Sequence, residues 1–212
     1  MKSYIWIGAV IIILIGLMIW GVGSTSGINP PFEAGAVHPL DNVMGNATSS
    51  VVIIEYSDFE CPACRTYYGV MKQLMVEFGS KVAFVYRDFP LVEIHANAEF
   101  AAEAAQAAGK QGKFWEMHDL LFEKQDEWAS VNNPESMFES YATLLGISIE
   151  KFKTDINSKE VIDFVRAERA SAIKLKLSGT PTFFVNGQQI QNPSSVDAFR
   201  IIINDAIKNK TQ

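Results

Sequence analysis

The sequence predicts an α/β domain built on an open sheet, with a helical segment inserted ahead of its last strands and one apolar helix at the amino terminus. Three observations carry that reading. A β-branched run, a run with helical periodicity and a second β-branched run follow one another between residues 49 and 90. Two short strand-like runs joined by Asn186-Gly187 form a hairpin pattern near the carboxyl end. Between them the pattern is helical, and strand, helix, strand implies a sheet whose functional edge lies at the strands' carboxyl ends.

Bulk properties set the limits. A chain of 212 residues, 48% apolar and 20% charged, accommodates one domain of ordinary size plus an appendage. A formal charge of -6 and a pI near 5.1, with Lys and Arg scattered, argue against nucleic acid as a partner.

The appendage comes first. Tyr4 to Val22 reads "YIWIGAVIIILIGLMIWGV", nineteen residues without a charge. As a helix it spans roughly 29 Å, close to the hydrocarbon thickness of a bilayer. Tyr4, Trp6 and Trp20 fall at its two ends, where amphipathic rings prefer the headgroups. Lys2 precedes it, so residues 1–3 are expected in the cytoplasm and the remainder outside. A cleaved signal peptide is the competing reading, but its apolar run is ordinarily about 7–15 residues, and the only Ala-x-Ala-like site lies far downstream at 34–36. Both readings export the domain. Residues 23–47, rich in Gly, Pro, Ser and Asn, read as a linker, leaving 48–212 as the folded domain.

Within that domain "SSVVIIEYS" (49–57) reads as a buried strand. Residues 62–78 follow as a helix stopped by Gly79, and "KVAFVYRDFP" (81–90) as a strand closed by Pro90. Helical stretches run from about 93 to 177: the alanine-rich "NAEFAAEAAQAAG", "KFWEMHDLLFEKQ", a segment beginning near Pro134, and "KEVIDFVRAERASAIKLKL". The alanines alternate with Glu, Phe and Gln as in a closely packed helix. "TPTFFVNGQQI" (180–190) is the hairpin, and "SSVDAFRIIINDAIKNK" closes the chain as a capped amphipathic helix.

Both cysteines of the chain lie in "DFECPACR" at the strand-to-helix turn. Pro62 suits the first helical position, which makes Cys61 the N-cap. There its sulfur is expected to face the free N–H groups of Ala63 and Cys64 and the positive helix end, conditions that lower a thiol's pKa. Cys61 is the candidate nucleophile. Cys64, three residues on, lies within adjustment of disulfide geometry and is placed to attack a mixed disulfide at Cys61. A structural staple across so short a loop restrains little chain entropy. A zinc site needs four ligands, and only His38, His95 and His118 remain, without paired spacing, so no metal is expected. Glu55 interrupts the apolar strand six residues before Cys61. It either moves protons to and from Cys64 with a raised pKa or points to solvent or a lysine.

"EYSDFECPACR", "RDFPL", "AAEAAQAAGKQGKFWEMHDLLF" and "SGTPTFFVNG" together resemble the DsbA-like branch of thioredoxin-fold thiol-disulfide oxidoreductases, over about residues 38–210. The resemblance implies a thioredoxin fold with an inserted helical subdomain, Cys61 as attacking thiol, Cys64 as resolving thiol and Glu55 as the acid beside them. It makes Pro181 a cis-proline facing the pair, which from the residues alone is only a turn proline. Thr180, with Pro62 and Ala63, then meets the substrate chain, Thr180 through its backbone. Ala63 departs from family oxidases, which often carry histidine or another polar residue there. The dithiol needs no bound cofactor. The implied partners are exported protein substrates and a membrane redox partner, a quinone-linked oxidase of the DsbB or VKOR kind. The resemblance does not extend to a separate dimerisation domain of the kind found in exported disulfide isomerases, which weakens an isomerase assignment, and the domain is expected to be monomeric. A dithiol oxidase is the leading expectation. A reductase or isomerase of the same fold, or a membrane-anchored holdase without enzymatic activity, are the alternatives.

Overall fold

In a computed structural model the described residues are 32–210. The expected membrane anchor at 4–22 and the linker as far as residue 31 lie outside them. Among the described residues no helix is long and apolar enough to cross a membrane.

A five-stranded sheet in the order β1-β3-β2-β4-β5 forms the frame. The strands are β1 (Asn42–Gly45), β2 (Val52–Ser57), β3 (Ala83–Asp88), β4 (Thr182–Val185) and β5 (Gln188–Gln189). β2 and β3 run parallel, joined by helix α1 (Pro62–Phe78), while β1 pairs antiparallel with β3 and β4 antiparallel with β2. Every residue of β2 and β3 is buried, as the apolar runs anticipate for strands covered on both faces.

Alternation of side chains sorts the strands between two layers. Ile53, Phe84 and Phe183 face α1 and the carboxyl-terminal helix α8 (Val196–Lys210), packing on Leu74, Phe78, Phe199 and Ile203. Ile54, Tyr56, Val85 and Phe184 face the other way and meet Ala172.

Between β3 and β4 lie α2 (Ala98–Gly109), α3 (Phe114–Glu123), α4 (Gln125–Trp128), α5 (Glu135–Leu144), α6 (Ile149–Ile156) and α7 (Lys159–Lys174). These helices form the insertion expected ahead of the last two strands. The alanine-rich α2 buries Ala101, Ala102, Ala104, Ala105, Ala107 and Ala108 against α3, α6 and α7, so the low-complexity look is that of a helix surrounded by others. Ser148 and Ser158 cap α6 and α7 by accepting from the N–H groups of Lys151 and Val161, and Ser195 accepts from Ala198 at the start of α8. The hairpin turn is Asn186-Gly187, both with positive φ (50° and 84°), the combination a tight two-residue hairpin turn requires.

The expected linker needs correction at its end. Residues 42–45 form edge strand β1, and Phe32 is buried well before it. The physical anchor is Arg87 on β3. Its guanidinium is fully buried, forms an ion pair with Asp41 at 2.9 Å, and donates to the carbonyls of Glu33 and Ala36. A buried charge left without those partners is costly, so residues 33–41 are fastened to the sheet despite their loop-like composition.

Candidate active site

The site forms where β2 ends and α1 begins. Pro62 opens the helix, and Cys61 occupies the N-cap with extended backbone (φ -74°, ψ 121°). One turn later Cys64 faces inward and is completely buried, whereas Pro62 and Ala63 are exposed. Both thiols are free. Cys61 is 7% exposed, so one sulfur of the pair borders the surface and the other does not.

The opposite wall is β4 and the residues entering it. The Thr180–Pro181 peptide is cis, Pro181 is buried and Thr180 half-buried. The Cys61 thiol donates to the Thr180 carbonyl at 3.6 Å. The structure thus brings Cys61 and Cys64 together with Thr180 and Pro181; Cys61 and Thr180 are 119 residues apart in sequence.

Electrostatics separate the two sulfurs. A hydrogen bond from the Cys64 thiol is the largest influence on Cys61 and, against burial, helps bring it down to about 5. The Thr180 hydroxyl and the N–H groups of Cys64 and Ala63 assist. Cys64 moves the other way, pushed up first by burial and then by the bond to Cys61 and the nearby Glu55 carboxyl. The N–H groups of Ala63 and Cys64 lower the Cys61 pKa as the helix-end position predicts, with the Cys64 thiol adding the larger share. Cys61 makes no capping hydrogen bond through its side chain, and the neighbouring thiol outweighs the peptide N–H groups.

Glu55 points to the α1 face, as alternation from Ile53 requires, and is 3% exposed. The Ser57 hydroxyl donates to it at 2.8 Å, and no lysine pairs with it among the described residues. Burial pushes its pKa up to about 8, so Glu55 holds a proton at neutral pH. It also lines a cavity of about 290 Å³ walled by Met71, Met75, Phe84 and Phe122.

Three residues that shape the turn are not apparent from motif spacing. Gln125, in the helical insertion, donates through its amide to the carbonyls of Phe59 (2.7 Å) and Cys61 (3.1 Å). Asp58 accepts from the N–H of Glu60 through one oxygen, and from the N–H of Leu91 and the His95 ring through the other. The Asp-x-Glu pattern beside Cys61 is a turn signal that suggests Asp58. Nothing local suggests Gln125 or His95, which arrive through tertiary packing. Among the described residues no three His, Cys, Asp or Glu side chains cluster as metal ligands.

A β-α-β sheet carrying a Cys-x-x-Cys pair at the strand-to-helix turn, opposite a cis-proline, defines a dithiol protein of the thioredoxin class. The family model described as "Thioredoxin" matches residues 38–205, and the chain belongs to that family. A thioredoxin-like oxidoreductase from Silicibacter pomeroyi superposes with a TM-score of 0.67 at 28% identity, covering 81% of this chain and 94% of that one. BdbD from Bacillus subtilis superposes at 0.74 and 22% identity, covering 85% and 100%. Wolbachia pipientis α-DsbA1 does so at 0.71 and 21%, covering 82% and 94%. The last two show the fold. Among curated relatives, "Na(+)/H(+) antiporter NhaA 3" of Salinispora tropica is 37% identical over 166 residues, 78% of this chain and 24% of that protein. The chain therefore spans about a quarter of the length of the curated relatives it matches.

Proposed function

We propose that the chain is a dithiol oxidase that introduces disulfides into exported proteins, held at the membrane by residues 4–22 with the domain outside. The observation that carries this is the unequal pair: Cys61 sits at the N-cap of α1, 7% exposed and in contact with the Thr180 carbonyl, while Cys64 is completely buried, so that the pKa of the first thiol is lowered and that of the second raised. Stabilising the Cys61 thiolate stabilises the reduced form, which makes the corresponding disulfide a stronger oxidant. That asymmetry supports the oxidative direction. The charge that Ala63 cannot supply is offset by the Cys64 thiol and by Thr180.

The exchange begins from the Cys61–Cys64 disulfide. A substrate thiolate attacks the Cys61 sulfur, forming the mixed disulfide and expelling Cys64 as a thiolate. Glu55, protonated and within electrostatic reach, supplies the proton that Cys64 takes up. The second substrate thiolate then attacks the substrate sulfur of the mixed disulfide, and Cys61 leaves as a stable thiolate. Two electrons pass from substrate to the pair. Re-oxidation delivers them to a membrane partner, for which a quinone-linked oxidase is proposed. The exposed surface at Pro62 and Ala63 and the backbone of Thr180 accept the substrate as an added strand. The domain is taken to act as a monomer.

The test is oxidative refolding of a reduced secreted ribonuclease by the oxidised chain. Cys61→Ser should abolish it. A holdase would retain its effect in that variant, and a reductase would prove unable to oxidise the substrate stoichiometrically.

A further inference from the structure

The segment between β3 and α2 returns to the active-site turn and ends beside it. Asp58 there has both carboxylate oxygens committed. One accepts from the Glu60 N–H at 2.7 Å, and the other accepts from the Leu91 N–H and meets the His95 ring nitrogen Nδ1, both at 2.8 Å. Its carbonyl accepts from the N–H of Cys61 itself at 3.1 Å. Glu60, adjacent to Cys61, accepts from the N–H of Asn97 at 2.7 Å. Two carboxylates therefore flank the nucleophile on its amino-terminal side, against a single imidazole.

We propose that His95 is a positioning residue of the dithiol site: its ring, clamped to Asp58, offsets the acidic pair Asp58 and Glu60 beside Cys61 when it takes up a proton, and so couples the charge of that sulfur to its own protonation. This rests on the proposed exchange function and names how that site is tuned. An anionic carboxylate close to a thiolate raises the energy of the thiolate, so neutralising it favours the charged sulfur. The groups that face His95 are Asp58, Glu60 and Cys61, all on the active-site turn, and its nearest acid on its own segment, Glu93, is engaged by Arg169. Burial is the largest single influence on the His95 ring and lowers its pKa, but the bond to Asp58 and the charges of Asp58, Glu60 and Cys61 together outweigh it and hold the ring above its ordinary value. The side chain remains 16% exposed, so protons reach it from solvent.

Coupling between two sites is reciprocal. If the Cys61 thiolate favours the His95 cation, removing that negative charge by forming the Cys61–Cys64 disulfide must lower the pKa of His95. A chemical disulfide reagent takes two electrons from the pair: the Cys61–Cys64 bond forms, the reagent's S–S bond breaks to give a thiol and a thiolate, the Cys64 proton passes to the reagent's sulfur, and the pair is left neutral. His95 then gives up protons more readily as well.

The experiment is an NMR titration of the histidine ring signals of the full chain, once as dithiol and once as disulfide. With only three histidines present, His95→Gln identifies the signal. The expected result is a His95 midpoint at higher pH in the dithiol form than in the disulfide form. In folded His95→Gln the Cys61 thiolate absorbance should also appear at higher pH than in the unaltered chain. A merely structural His95 would move neither. Equal His95 midpoints in the two redox forms would overturn the inference while leaving the oxidase reading intact, and failure of the disulfide to form would end both. Should His95→Gln not fold, the comparison of redox forms on the unaltered chain still decides.

Discussion

The Cys61 thiol donates to the carbonyl oxygen of Thr180 at 3.6 Å, joining the first turn of α1 to the residue that precedes the cis-proline. The same carbonyl lies at the entrance to β4, and under the proposed exchange a substrate cysteine laid along Thr180 would arrive at the reactive sulfur.

Removing the partner thiol exposes how that sulfur is activated. In Cys64→Ala the leading cause of Cys61's low pKa is gone, and the Cys61 midpoint should rise from about 5 by at least about one unit. Thiolate absorbance against pH measures it. The same variant should accumulate mixed disulfides through Cys61 on a non-reducing gel.

Glu55 carries a stability signature with a definite sign. Its folded pKa, about 8, lies above the ordinary 4.5, so its contribution is fully present below pH 4.5 and is lost as pH rises through 8. Urea midpoints should fall between pH 5 and pH 9 in the unaltered chain. In Glu55→Gln much of that fall, on the order of 2–4 kcal/mol, should disappear, while thiol exchange slows.

Gln125 reaches the active-site turn from the insertion, and its amide satisfies two carbonyls there. Gln125→Ala should destabilise the fold by roughly 1–3 kcal/mol because those acceptors lose their donor in a buried setting. Faster alkylation of Cys64 at constant pH would register the loosened turn.

Asp41→Ala should be more damaging. It leaves the buried Arg87 guanidinium without its ion pair, a change that costs roughly 3–5 kcal/mol. Denaturant unfolding measures it, and Asp41→Asn, which retains acceptor capacity, should recover part of the loss.

Much of this was legible in the sequence. The βαβ unit, the N-cap cysteine and the Asn186-Gly187 turn all follow from local rules: side-chain period, proline at the first helical position, positive φ at a turn. The sequence leaves open whether Glu55 is buried or faces solvent, and the packing of α1 and β3 over it decides. β1 was not legible, because its four residues lie in a Gly- and Asn-rich stretch and are held from outside by Arg87 and by pairing with β3. Gln125 and His95 escaped for the same reason. Their partners are 64 to 66 and 37 residues away, and no periodicity encodes an approach of that kind.

The proposed direction of electron flow is tested most directly by the redox state of Cys61 and Cys64 in intact cells, read by acid quench and the mass added on alkylation. A pair found mainly as the disulfide is the result expected of an oxidase awaiting substrate. A pair found mainly as the dithiol would contradict it and identify a protein maintained by an electron donor.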